Sequence, residues 1–262
     1  LNGKLIVPTS QGERTIRIRR VHLEEDTGKL THMVKDGKAC SLVDLNRAGI
    51  PLLEIVTEPD MFTIEEARAY AFELRAILRY LGVNSGDLEK GIIRFEANVS
   101  VKPKGSQQLG TRTEIKNLNS FRSMERAVSF EIERQTALLR KGEVVLQETV
   151  GWNEDTGETF SQRGKEDAHD YRYFPEPDLP PLVLETAWIE KVKKGLPELP
   201  RAKSSRLQQT YGLLPLEADL LVTEATIADY FEACARELKK AQPRSAALFI
   251  LGEYFAWFKQ QG

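Results

Sequence analysis

Ile93-Arg94-Phe95-Glu96-Ala97-Asn98-Val99-Ser100-Val101 alternates apolar and polar residues without a break. Alternation with a period of two marks a strand with one buried face and one wet face. Ile93, Phe95, Ala97, Val99 and Val101 take the first face, and Arg94, Glu96, Asn98 and Ser100 the second. Residues 103–110 read as a loop. A second strand follows, with Arg112, Glu114 and Lys116 on one face. Antiparallel pairing of the two is the simplest topology. If their polar faces coincide, Glu96 and Glu114 stand beside Arg94, Arg112 and Lys116.

A long helix is expected on either side of this pair. Thr63 and Glu66 form a capping-box pattern, and Ala67, Tyr70, Ala71, Leu74, Ile77, Leu78 and Leu81 recur at helical spacing before Gly82. The other helix starts near Ser120 and ends near Gly142, with Met124, Ala127, Val128, Ile132, Leu138 and Leu139 as its apolar stripe. Further out, residues 14–23 alternate like a strand, which puts Ile16 and Ile18 on the face of Arg20, His22 and Glu24 if it runs straight. Residues 42–58 read as a loop followed by a mostly buried strand. A hairpin is expected over 146–163, turning at Asp155-Thr156-Gly157. Asp170 through Pro181 is aromatic, charged and proline-locked, which excludes a helix interior.

After about residue 190 only helix signals remain, near 201–211, 216–222, 226–240 and 244–259, beyond a stiff Leu196-Pro197-Glu198-Leu199-Pro200 linker. The chain therefore reads as α+β. Residues 1–190 form a domain with a mainly antiparallel sheet and two long helices, and residues 191–262 an all-helical domain. The helical part carries a mild positive excess, which makes it a weak candidate for an RNA-facing surface.

With 41% hydrophobic and 29% charged residues, the 262-residue chain has the balance of a soluble globular protein. A net charge of -2 excludes nucleic-acid binding by bulk positive charge alone. No apolar run approaches the ~20 residues of a membrane span, so no membrane association is expected. The two cysteines, Cys40 and Cys234, read as core thiols in a reducing compartment. The opening Leu1-Asn2-Gly3-Lys4 has the look of a piece of a longer protein. P-loop, Rossmann, nucleophile-elbow and C-x-x-C motifs are absent.

Four constellations could carry chemistry. His22-Leu23-Glu24-Glu25-Asp26 offers oxygen ligands for a hard cation such as Mg²⁺. Strict alternation separates Glu24 from Glu25, so both reach one ion only if the strand bends or bulges there. A solvated acidic turn has the same composition. The polar strand face is the second, with Asn98, Asn117 and Asn119 suited to orienting a polar ligand although asparagine is a poor strand former. An ordinary wet sheet face is the alternative. The third is the helix start at Asn117–Ser120, where free N–H groups attract anions in addition to any capping by Asn119 or Ser120. The fourth interleaves basic and aromatic residues in Arg163-Gly164-Lys165-Glu166 and Tyr171-Arg172-Tyr173-Phe174, where simple packing over the sheet is favoured.

Five segments together resemble the B-subunit family of the tRNA-dependent amidotransferases: His22 through Lys29, Ser41 through Asp60, Arg94 through Ser100, Gly110 through Phe121, and Asp170 through Pro181. They follow family order and spacing along the whole chain. The resemblance implies a cradle-like catalytic domain followed by a helical domain. It implies use of ATP and Mg²⁺ to phosphorylate the side-chain carboxylate of Glu-tRNA(Gln) or Asp-tRNA(Asn). Ammonia from an amidase A subunit then displaces the phosphate, the A–B pair is supported by a small C subunit, and the expected setting is the bacterial cytoplasm, with an organelle as the alternative. On this reading Glu24 and Glu25 link to the metal. Glu25, Glu96, Arg94 and Lys116 serve catalysis, and Asn98, Asn117, Asn119 and Ser120 hold the nucleotide or aminoacyl end. A non-catalytic tRNA-binding or scaffolding module of the same complex is the alternative. Four departures are read against the family pattern. Ile92 replaces an expected small Ser, and Phe95-Glu96 replaces the common Cys-Asp. The family's N-terminal segment, which brings a Glu and a His to the metal site, is expected to be missing, and so is its C-terminal tail domain. The chain alone is therefore expected to be inactive.

Overall fold

The computed structural model describes residues 3–35, 37–161 and 183–257. The chain divides into two compact units, residues 1–71 and 72–262.

In the first unit, β1 (Gly3–Thr9), β2 (Gly12–Glu25) and an edge strand Pro51–Thr57 form an antiparallel sheet, ordered with β2 in the middle. Val7 and Ile16 are fully buried in it. Between them in sequence, β3 (Lys29–Lys35) and β4 (Lys38–Asp44) make a separate two-stranded hairpin, and Pro51–Thr57 is β5. Two expectations change here. Residues 42–44, expected as loop, belong to β4, and β5 contains no fully buried residue because it borders the sheet. Cys40 lies partly exposed on the hairpin, so it is not a core thiol, whereas half-buried Cys234 packs against the core of the later helices.

The β2–β5 register passes from Ile18↔Thr57 to Arg20↔Val56, so Arg19 is an extra residue in β2. This bulge inverts the alternation. Arg20, His22 and Glu24 consequently leave the face of Ile16 and Ile18, contrary to the straight-strand reading. The chain after β5 is held by Asp60, whose carboxylate accepts from Arg17 Nε at 2.7 Å and Nη2 at 2.6 Å. That guanidinium pulls the Asp60 pKa down to about 2.

Helix α1 (Ile64–Tyr80) starts in the first unit with the expected box: Glu66 N donates to Thr63 Oγ1 and Thr63 N to Glu66 Oε2. It continues into the second unit.

There, β6 (Phe95–Val99), β7 (Thr113–Leu118), β8 (Glu148–Asn153) and β9 (Glu158–Ser161) form a four-stranded sheet in sequence order. β6 pairs antiparallel with β7, as expected, and β8 with β9 across the Asp155–Gly157 turn. β7 and β8 run parallel. Parallel neighbours need a crossover, and α2 (Phe121–Arg140) is that connection.

The alternating segment keeps its two faces, with Val99 buried and Glu96 and Asn98 exposed. Its partner does not. The register jumps from Phe95↔Leu118 to Ala97↔Ile115, which sets Lys116 and Asn117 together opposite Glu96. Asn117 has a φ of 66°, the only positive φ among described non-glycine residues. Asparagine tolerates this left-handed conformation better than other non-glycine residues. The bulge explains why buried positions fall at Ile115 and then Leu118.

Helix α2 begins at Ser120, whose Oγ accepts from Ser123 N at 2.9 Å. Phe121 stacks on Phe72 of α1, with ring centroids 4.0 Å apart, and leans on Phe95 of β6. Its buried line starts at Met124 and Ala127 but continues through Glu131 and Gln135, where Ile132 and Leu139 were expected. The reason lies at the end of β6. Gln135 Nε2 donates to Val99 O at 3.1 Å and Gln135 Oε1 accepts from Val101 N at 3.0 Å. The same amide reaches Glu131, which Arg134 pairs at 2.8 Å.

Helices follow: α3 (Thr186–Lys194), α4 (Pro200–Tyr211), α5 (Pro215–Leu221), α6 (Ala225–Glu237) and α7 (Pro243–Phe249), then a π-helical turn at Ile250–Tyr254. Prolines open three of them, where a missing N–H costs nothing. Leu207, Leu221, Phe231 and Ile250 form their core, against which Tyr80 of α1 packs. Position 190, where the helical part was expected to start, falls inside α3. No described helix is long and apolar enough to cross a membrane.

Three outcomes follow from these contacts. Gln135→Leu should destabilise the second unit by about 2–4 kcal/mol in urea unfolding, because the Val99 and Val101 backbone groups and Glu131 lose their partner. Asn117→Gly should leave the melting temperature nearly unchanged, whereas Asn117→Val should cost roughly 1–2 kcal/mol; equal melting points would refute the bulge. The Asp60 carboxyl is depressed in the folded state, so its stabilisation is complete above about pH 5 and disappears as pH falls toward 2. The stability gap between the parent and Arg17→Met should close over that interval in urea titrations.

Candidate active site

The bulge between β6 and β7 organises the polar sheet face. Lys116 Nζ lies 3.5 Å from Glu96 Oε1 and 3.9 Å from Glu114 Oε1. Glu114 stands opposite Asn98 on β6 and Thr149 on β8, and Thr149 Oγ1 donates to Glu114 Oε2 at 2.8 Å. Partial burial of the Glu96 carboxylate raises its pKa; Lys116 opposes the rise and the adjacent Glu114 adds to it. A carboxylate with a raised pKa is a stronger base at neutral pH than a free one.

Asn117 also lines a recess of about 350 Å³ with Asn119, Ser123, Trp152, Asn153, Glu154 and Phe160. One wall is the start of α2, where unpaired N–H groups give the helix end its positive character. The other is the β8–β9 hairpin. Glu154 accepts from Trp152 Nε1 at 2.6 Å and from Arg126 Nη1 at 2.7 Å. Hydrogen bonds from Ser123 and Trp152 hold its carboxyl below the usual range. The Arg126 guanidinium lies 5.4 Å from the Trp152 ring centroid. Asn153 Oδ1 is engaged by the turn N–H groups of Asp155 and Thr156. Polar amides and aromatic walls together suit a polar ligand with a flat ring.

The second unit thus brings Glu96, Asn98, Lys116, Asn117 and Asn119 onto β6, β7 and the recess, with Arg94 one residue before β6. Ser120 serves as the N-cap of α2, its hydroxyl engaged by Ser123 N and Oγ. Glu24 and Glu25 belong to the first unit. They pair in continuous register with Leu52 and Pro51, so they point to opposite faces of β2, and the bulge sits at Arg19 rather than between them. Glu24 shares its face with His22 and with Glu54, which pairs opposite His22 and accepts from Arg20 Nη2 at 2.8 Å. Among the described residues no group of three or more His, Cys, Asp or Glu side chains is arranged to hold a metal. The basic-aromatic segments at 163–166 and 170–181 lie outside the described residues.

Sequence reasoning missed Glu54, Trp152, Glu154 and Phe160. Alternation within 51–57 was the available signal for Glu54. Nothing in the sequence says that the hairpin carrying the other three meets the start of α2. On the helical part, several of the basic residues counted toward an RNA surface are spent locally. Lys203 pairs with Asp229 and Glu232, Arg206 with Glu198 and Glu232, and Arg244 with Glu217.

Comparison with known proteins gives one answer. A family model described as the GatB/GatE catalytic domain matches residues 1–190. Proteins named as the B subunit of aspartyl/glutamyl-tRNA(Asn/Gln) amidotransferase align along the chain. That of Herpetosiphon aurantiacus is 52% identical over 99% of this chain and 53% of its own length. That of Thermomicrobium roseum is 52% identical, and that of Myxococcus xanthus 51%, each over 100% of this chain and 54% of the relative. The chain spans about half the length of these relatives. With a family model covering most of its residues and half of its positions identical to these proteins, the chain belongs to the GatB/GatE catalytic-domain family.

Proposed function

We propose that this chain is the catalytic part of the B subunit of a tRNA-dependent amidotransferase, acting in the cytoplasm on Glu-tRNA(Gln) or Asp-tRNA(Asn). Its partners are an amidase A subunit, which releases ammonia from glutamine, and a small C subunit. The observation that carries the reading is the Glu96–Lys116 pair, on an open sheet face beside an amide-lined recess.

A carboxylate is a poor electrophile for ammonia, and conversion to an acyl phosphate supplies a leaving group. A side-chain oxygen of the aminoacyl group bonds to the γ-phosphorus of ATP, and ADP leaves with the electron pair of the broken bond. Ammonia then bonds to the acyl carbon, phosphate departs with its bonding electrons, and a nitrogen proton passes to Glu96. Its raised pKa suits that task. Lys116 and Arg94 neutralise phosphate oxygens, since phosphoryl transfer depends on positioning and charge compensation. Asn98, Asn117 and Asn119 orient the nucleotide or aminoacyl end, and the start of α2 adds attraction for an anion.

Mg²⁺ takes one or two carboxylates and completes its shell with phosphate and water, and it supplies charge neutralisation when bound. Glu24, on the face of His22 and Glu54, is the β2 carboxylate that fits that sparse demand, and Glu25 on the opposite face does not share its ion.

The test uses a full-length subunit assembled with its A and C subunits. Glu96→Gln and Lys116→Met should each lower ATP-dependent amidation of Glu-tRNA by about 100-fold or more, with tRNA binding retained. Full turnover in both variants would overturn the proposal.

A further inference from the structure

The polar row across the four-stranded sheet contains a carboxylate that the proposed reaction leaves unused. Glu114 sits in the middle of Asn98, Glu114 and Thr149, on three successive strands. One oxygen is anchored by the Thr149 hydroxyl at 2.8 Å. The other faces Lys116 Nζ at 3.9 Å, and the same ammonium faces Glu96 at 3.5 Å. One cation therefore serves two carboxylates. Alternation puts Lys116 on the face of Glu114 and opposite Glu96, and the bulge adds Asn117 to that same opposing position.

We infer that Glu114 is a positioning residue: anchored by Thr149, it fixes the Lys116 ammonium against Glu96 and holds a second negative charge beside that carboxylate. This deepens the proposed function and rests on the role given there to Glu96. The charged groups acting on Glu96 are Lys116 and Glu114, both on β7. β6 is an outer strand, with Arg94 just before it. The charged pair that α2 brings to the buried side, Glu131 and Arg134, is joined to Thr113 and Glu148. A neighbouring negative charge favours the protonated form of Glu96, whereas Lys116 favours the ionised form. Replacing Glu114 by Gln keeps an acceptor for Thr149 and removes only the charge. Glu96 then becomes more acidic and a weaker base.

Two measurements test this. In the 262-residue chain, carbon-13 NMR titration of the Glu96 carboxyl should show a midpoint above that of a free glutamate, and Glu114→Gln should lower it by about half a pH unit or more. In the full amidotransferase assembly, Glu114→Gln should move the acid limb of kcat to lower pH. It should also reduce kcat severalfold at unchanged KM for ATP, and Glu114→Asp should restore the limb. A Glu96 midpoint that ignores Glu114→Gln overturns the inference, whatever the activity. A midpoint that falls, combined with full turnover by Glu96→Gln, leaves the coupling standing and overturns the catalytic use of Glu96. If Glu114→Gln does not fold, Glu114→Asp in the NMR titration decides: a midpoint kept within about 0.2 units of the parent supports the inference, and one that drops to the free value overturns it.

Discussion

One primary amide holds the four-stranded sheet to its helix. Gln135 gives its NH₂ to Val99 O and takes the N–H of Val101 on its oxygen, as a neighbouring strand would. The chain leaves the β6 ladder at this point, and two backbone groups would otherwise be buried without partners. Burying an unpaired amide is expensive, so the helix is committed to one depth and rotation. Phe121, sandwiched near Phe72 and Phe95, fixes the other end of the same helix. With both ends fixed, the N–H groups at Ser120 stand beside the bulge rather than elsewhere on the sheet. The recess and the Glu96–Lys116–Glu114 array are therefore consequences of one packing solution.

The bulge is the second constraint. It spends a ladder register at Asn117 and gains a side-chain arrangement that regular alternation forbids. In a straight pair, Lys116 and Asn117 would face opposite sides. Here they share an opposing residue, so a cation and an amide come to the same edge of the site. The bulge at Arg19 does comparable work in the sheet of the first unit, moving His22 and Glu24 off the face of Ile16 and Ile18.

Much of this was legible in the sequence, and the failures have physical causes. The 93–101 alternation, the Thr63–Glu66 box, the Ser120 cap and the hairpin turn at 155–157 are local signals, and local signals survived. Asn117 stands out in the sequence as a poor strand former, and its left-handed backbone gives the reason. Gln135 was illegible because its partners are backbone atoms more than thirty positions away, exposed only by the way β6 ends. The parallel pairing of β7 with β8 depends on how α2 crosses the sheet, which no pattern of residues states. β3 and β4 were missed because both their faces are exposed, and a strand with no buried face has no alternation to read. Glu24 and Glu25 show the reverse case: adjacency suggested a shared ligand, and the pleat separates them.

The β3–β4 hairpin carries a dynamic consequence. Its fourteen residues include no buried one, and neither strand belongs to a larger sheet. A lone pair of strands in water is barely favourable, so its opening need not wait for the rest of the unit to unfold. Its amide protons should trade with deuterium by brief local fraying, long before those beside Ile16 or Ile115 do. The chain thus combines a tightly fastened catalytic platform with an arm whose shape is maintained by little more than its own ladder.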